Sequence, residues 1–205
     1  MHSISQYLIF KVHVGDYQLS SARDGAVAMR IQRIITHPGY NGRLVSDVED
    51  VALLYLAQPI QYRLRPPIGA VHLPTPNMQF DRGDFTSCFT AGWGMTKGDL
   101  PGSNTDILQQ AKNRIMSRKE CTNFRSIGVN AQFHLCFSLG GPRSCKGDSG
   151  GPLVCNVGAK LYQVGVVSFG DFACTGNSPC VYVKTGVYRQ WVTSVINQFP
   201  GGYSG

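Results

Sequence analysis

The stretch Gly147-Asp148-Ser149-Gly150-Gly151-Pro152 concentrates the residue types that nucleophilic catalysis needs. A serine hydroxyl is a poor nucleophile near neutral pH. It becomes effective when a base takes its proton and backbone N–H donors receive the developing oxyanion. Gly147 and Gly150 flank Ser149 without Cβ atoms, so the backbone there can take φ/ψ values closed to other residues and a carbonyl can approach closely. A bare Gly-x-Ser-x-Gly also occurs as a turn without chemistry, so the surrounding chain has to decide.

The elements that must position this stretch read as strands. Leu8, Phe10, Val12 and Val14 alternate with Ile9, Lys11 and His13, the period of a strand with one buried face, and Gly15-Asp16 turns the chain. Met29, Ile31, Ile34 and Ile35 form a further strand, ended by a turn at Thr36-His37-Pro38-Gly39-Tyr40-Asn41. Glu49-Asp50 leads directly into the apolar run Val51-Ala52-Leu53-Leu54-Tyr55-Leu56, and Pro66-Pro67 and Val71-His72-Leu73-Pro74 mark an extended connection. Lys97 to Thr105 is a polar Gly/Pro-containing loop expected to be mobile. Leu161 to Phe169 is a long strand with Gly165 as a bulge or close-approach position. Tyr188, Trp191, Val192, Val195, Ile196 and Phe199 recur at helical spacing, so a C-terminal amphipathic helix should pack on the strands. With 24 glycines and only 15% charged residues among 205, the composition suits short strands and tight turns, and the fold class is all-β.

A net charge of +7 raises the question of a polyanionic partner. The densest basic group, Lys112, Arg114, Arg118, Lys119 and Arg125, has no interleaved aromatic platform; this predicts a solvated basic face and no nucleic-acid partner. Heparin-like glycans and acidic membranes stay open as polyanionic partners. No run is long enough to span a membrane. Seven cysteines favour an oxidising compartment, provided that six of them pair. The N-terminus does not read as a secretory signal: Met1-His2-Ser3-Ile4 lacks a basic region and Tyr7-Leu8-Ile9-Phe10 is too short an apolar core. No N-x-Ser/Thr acceptor is present.

Taken in context, the six-residue string resembles the one that carries the nucleophile in the chymotrypsin/trypsin family of serine proteases. The Asp50-Val51-Ala52-Leu53-Leu54 segment, Cys88-Phe89-Thr90-Ala91-Gly92-Trp93-Gly94 and Ser168-Phe169-Gly170 are similar to strings of the same family, and the likeness runs from about Leu8 to Phe199. It implies a double antiparallel β-barrel in one peptidase domain over 1–205. Residues 1–74 would supply a partial first barrel and linker, 75–186 the second barrel, and 187–199 the helix. By the same resemblance Ser149 is the nucleophile, and the N–H groups of Gly147 and Ser149 form the oxyanion hole. Asp50 is the aspartate that orients the imidazole, with Asp47 the weaker choice because it stands further from the apolar run. Ser168, Phe169 and Gly170 add the substrate backbone as an antiparallel strand. Cys88 pairs with Cys155, Cys121 with Cys136 and Cys145 with Cys174, leaving Cys180 over. The implied substrate or ligand is a protein or peptide, the setting is secreted, and neither cofactor nor metal is called for.

Four departures from the family qualify this reading. First, no histidine lies before the first strand except His2, which has about the family's separation from Gly15 but lacks the strand that would position it; Ser3 stands where a cysteine would follow. His13, His37, His72 and His134 fall in a strand, a turn, a linker and a pre-cysteine segment. Second, Asp148 would receive a freed α-amino group in relatives, and this chain has no Ile-Val-Gly-Gly string to provide one, so Asp148 must find another partner or the site should resemble an unactivated zymogen. Third, Arg143 and Cys180 occupy the specificity pocket. A buried guanidinium needs an anion, so the pocket either accepts an acidic residue or is closed by an internal ion pair, and the lost volume at Cys180 favours closure. Fourth, an incomplete first barrel exposes strand edges. The expectation is a peptidase homologue that is inactive as written. The alternatives are a fragment or isoform of an active secreted endopeptidase, a non-catalytic protein-binding module, and a product with no molecular function.

Overall fold

The protein is described here by a computed structural model covering residues 10–199, apart from 22–24, 43–47, 63–67, 83–86, 99, 138 and 171–172. His2, Asp47, Pro66-Pro67 and the start of the first expected strand at Leu8 lie outside the described residues.

Two antiparallel sheets carry the architecture. The first has the order β1 (Lys11–Val14), β2 (Val27–Thr36), β3 (Ala52–Leu56). The second has six strands: β4 (Cys88–Gly92), β5 (Gln109–Asn113), β6 (His134–Phe137), β7 (Pro152–Val157), β8 (Lys160–Phe169) and β9 (Cys180–Lys184), in the spatial order β5-β4-β7-β8-β9-β6. An isolated bridge from Ile115 to Phe137 and the Met116 N–H donating to the Cys136 carbonyl at 2.8 Å bring the two outer strands of this sheet together. The sheet therefore curls toward closure, which removes the open edges that an antiparallel sheet otherwise presents. This is the all-β, barrel-type fold that the sequence implies.

The core sits inside the second sheet. Ile115, Phe137, Leu153, Val164 and Tyr182 are buried together, and the Phe137 and Tyr182 rings meet edge to face with centroids 5.8 Å apart. Each aliphatic side chain fully withdrawn from water in this way contributes about 1.5–3 kcal/mol. Gly165 allows the sheet to pack at this point: a Cβ there would stand 2.8 Å from the Tyr182 Cβ, and the β7–β8 register shifts beside it. Both halves of the expectation for Gly165 hold.

In the first sheet, by contrast, only Met29 and Ile31 are buried, and Val27 and Leu54 stand exposed. Among the described residues β1 and β3 each have a single partner strand.

Three disulfides join Cys88 to Cys155, Cys121 to Cys136 and Cys145 to Cys174, the same pairs that the family resemblance implies, and Cys180 is free and buried. The short helix α1 (Arg118–Cys121) begins in a capping box. The Glu120 N–H donates to the Ser117 hydroxyl, and the Glu120 carboxylate accepts from the Ser117 N–H at 2.7 Å. The C-terminal helix α2 spans Arg189–Asn197, slightly shorter than its apolar periodicity suggests; Phe199 follows it and packs on Tyr55 of β3. The described residues at the two ends of the 97–105 loop are joined by hydrogen bonds. Thr96 N–H donates to the Ser103 carbonyl and the Ser103 hydroxyl to the Lys97 carbonyl, so the segment closes on itself.

Candidate active site

Asp50 stands just before β3, half-buried, and Ser168 lies near the end of β8. The Ser168 hydroxyl donates to Asp50 Oδ2 at 2.6 Å. This contact carries a carboxylate of the first sheet onto the second.

Ser149 reaches the same end of β8 by another route. Its turn is built by the Asp148 N–H donating to the Cys145 carbonyl and the Gly151 N–H to the Asp148 carbonyl. The turn is then pinned to β8 by Gly150 N–H donating to the Val167 carbonyl and Val167 N–H to the Gly151 carbonyl, both at 2.9 Å. Gly147 has φ +94 and Gly150 φ +80, conformations that L side chains rarely adopt. Ser149 is left exposed between two residues that only glycine suits.

Asp148 turns inward. Its Oδ1 accepts from the Gly94 N–H and its Oδ2 from the Cys145 N–H, each at 2.9 Å. A Cβ on Gly92 would stand 2.0 Å from Oδ1 and one on Gly94 2.5 Å from the Asp148 Cγ, so the Gly-Trp-Gly string is a cradle for this carboxylate. Among the described residues no cation pairs with Asp148. The cradle is a structural feature of the candidate site that reasoning from the sequence missed, although the two glycines were its signal.

Arg143, expected to line a specificity pocket, differs from expectation in its partners. The internal ion pair anticipated for Arg143 does not form among the described residues. Its Nε donates to the Gly141 carbonyl at 3.1 Å, and its Nη1 is buried without a hydrogen-bond partner. The physical reason is that the one carboxylate in the same cleft, Asp148, is held by backbone N–H groups. The guanidinium instead lies against Gly176, where a Cβ would come within 2.3 Å of Nη2. Arg143 and Asp148 line a cleft of about 250 Å³ with Gly92, Gly94 and the Cys145–Cys174 pair.

Cys180 is buried with its thiol donating to the Ser144 carbonyl at 3.2 Å, and burial pushes its pKa up. Beside it the Tyr182 hydroxyl donates to the Ser144 hydroxyl at 3.0 Å; burial raises the phenol's pKa as well. Phe169 is buried and meets His134 edge to face, while Gly170 follows the end of β8.

The side chains of the described histidines have partners other than Asp50 and Ser149. His13 Nδ1 lies 3.4 Å from Asp16, and His37 accepts from the Gly39 N–H and packs its ring on Tyr188 and Trp191. His72 packs on Tyr162, and the buried His134 accepts from the Asn130 N–H. Among the described residues no group of three or more His, Cys, Asp or Glu side chains is placed to hold a metal ion.

The strand order, the three disulfide pairs and the pinned Gly-Asp-Ser-Gly-Gly turn bear directly on comparison with known families. A protein-family model described as Trypsin matches residues 2–192. The chain belongs to the trypsin family. Membership places the chain among serine-protease-type proteins. No helix among the described residues is long and apolar enough to cross a membrane. The three disulfides are consistent with an extracellular trypsin-family protein.

Proposed function

We propose that this chain is a trypsin-family serine endopeptidase homologue that does not hydrolyse peptide bonds in the form given by this sequence. The observation that carries the reading is that each described histidine has other partners while Ser149 stands exposed. In that arrangement Ser149 would be the nucleophile position and Gly147 and Ser149 would supply oxyanion donors. Asp50 would be the orienting carboxylate, with no imidazole of the described residues bonded to it or to the serine. Loss of one member of such a triad costs several orders of magnitude in rate. The residual role is binding of a protein or peptide at Ser168, Phe169 and Gly170, with Arg143 and Cys180 shaping the pocket, in a secreted setting.

A second reading is a fragment or isoform of an active secreted endopeptidase, in which His2, the one histidine of this sequence outside the described residues, or a histidine of a longer form completes the site. The Asp50–Ser168 contact and the positive φ values beside Ser149 favour it, since both are what a working triad would need.

Covalent labelling with a fluorophosphonate separates the two. Folded wild-type chain should label no more than Ser149→Ala; labelling that depends on Ser149 would establish the second reading and overturn the first.

A further inference from the structure

A cavity of about 210 Å³ opens between the 74–81 connection, the start of α1 and the turn after β9, and none of Asp50, Arg143, Asp148 or Ser149 lines it. Its charged lining consists of Asp81, Arg118 and Lys184. Asp81 Oδ2 accepts from Arg118 Nε at 2.7 Å and from Lys184 Nζ at 2.9 Å, and Nζ also donates to the Ala131 carbonyl at 2.7 Å. One carboxylate between two cations leaves a charge of +1. The Asp81 and Lys184 side chains are only 8% and 12% exposed, so water solvates that pair poorly. An ammonium has three donors and a guanidinium five. The third Lys184 N–H and both terminal nitrogens of Arg118 therefore have no protein acceptor among the described residues.

The remaining walls are of a different kind. Met78, Leu135, Val164 and Val187 offer apolar surface in the same cavity. The buried Asp81–Lys184 pair is neutral, and the excess positive charge stands on Arg118, whose side chain is 57% exposed; an anion on that guanidinium and an apolar group against the wall would satisfy both parts of the lining.

We propose that this cavity binds an apolar monocarboxylate, its carboxylate on Arg118 and Lys184 and its hydrocarbon part against Met78, Leu135 and Val187. A peptide's C-terminal residue and a small free carboxylic acid share that chemistry. An inorganic oxyanion would use the cations alone and leave the apolar wall wet.

Isothermal titration of the folded chain tests the site with N-acetyl-L-leucine, hexanoate, acetate and sulfate as probes. N-acetyl-L-leucine or hexanoate should bind at least about tenfold more tightly than acetate or sulfate. The stronger of the two identifies a peptide end or a free acid as the source. Arg118→Gln removes a side chain that is 57% exposed and leaves the Asp81–Lys184 pair, so it should fold and bind about tenfold more weakly. Val187→Asp, at an exposed rim position, should weaken binding similarly by placing a like charge near the carboxylate. No saturable binding, equal binding of sulfate, or unchanged affinity in Arg118→Gln of confirmed fold would each overturn the proposal.

Discussion

Ser168 and Asp50, 118 residues apart in the chain, meet through a hydroxyl-to-carboxylate hydrogen bond of 2.6 Å. A charge-assisted bond of this kind, half-buried, stabilises more than a neutral one. Ser168→Ala should destabilise the fold by about 1–2 kcal/mol through the carboxylate left without its donor. In Asp50→Asn the same serine change should cost less, and urea denaturation of the four proteins measures the difference. Equal costs in both backgrounds would mean that the contact does not couple the sheets.

The Gly92 cradle gives a second coupled pair. Gly92→Ala forces a methyl group against Asp148 Oδ1 and should cost about 2–3 kcal/mol. Asp148→Ala has its own cost, because the Gly94 and Cys145 N–H groups lose their acceptor. It also clears the space, so the double variant should be less destabilised than the sum of the two. Strict additivity in thermal unfolding would show that the close approach is absent in solution.

Cys180 is the one free thiol among the described residues, buried, with its pKa raised by that burial. Thiolate, not thiol, reacts with alkylating agents. Iodoacetamide at neutral pH should leave the native chain unmodified and should add one equivalent after unfolding without reductant. Fast modification of native protein would place the Cys180 side chain at the surface.

Glu120 supplies the clearest pH dependence. Its hydrogen bond from Arg114, helped by the Ser117 N–H and hydroxyl, lowers its pKa from 4.5 to about 2. A carboxyl whose folded pKa is depressed contributes fully above the unfolded value. That contribution is lost as the pH falls from about 4.5 toward about 2. The pair is substantially exposed, so screening limits the effect to about 1 kcal/mol or less. In Glu120→Gln the decline of thermal stability over this window should be shallower than in wild type, and parallel curves would rule the ion pair out as its source.

The readable and unreadable parts of this chain divide on physical lines. Asp50 and β8 were legible because a carboxylate ahead of an apolar run and a ten-residue strand with an internal glycine are local signals. β5 was not, since Gln109-Gln110-Ala111-Lys112-Asn113 has little strand propensity and forms because β4 pairs with it along its whole length. β6 was hidden for a different reason: all four of its residues are buried, which abolishes the alternation that marks a half-exposed strand.

Site residues divide the same way. Ser149 and its glycines stand in six consecutive letters, whereas the sequence leaves Arg143 between an acidic ligand and an internal ion pair, with the pair preferred, because its neighbours in space cannot be inferred. The Asp81 cluster draws its cations from 37 and 103 residues away, a separation that no window of sequence spans.

Among the described residues, all three disulfides and nearly the whole buried core belong to residues 80–195, while β1–β3 contribute two buried side chains. Backbone amides in the two sheets should therefore exchange with deuterated solvent on separate clocks. Those of Val181, Tyr182 and Val183 open only when the cross-linked half comes apart, whereas those of β2 are released by a local opening that leaves the rest standing. Asp50 is tied to the faster clock and Ser149 to the slower, so the lifetime of their shared site is set by the less cohesive sheet.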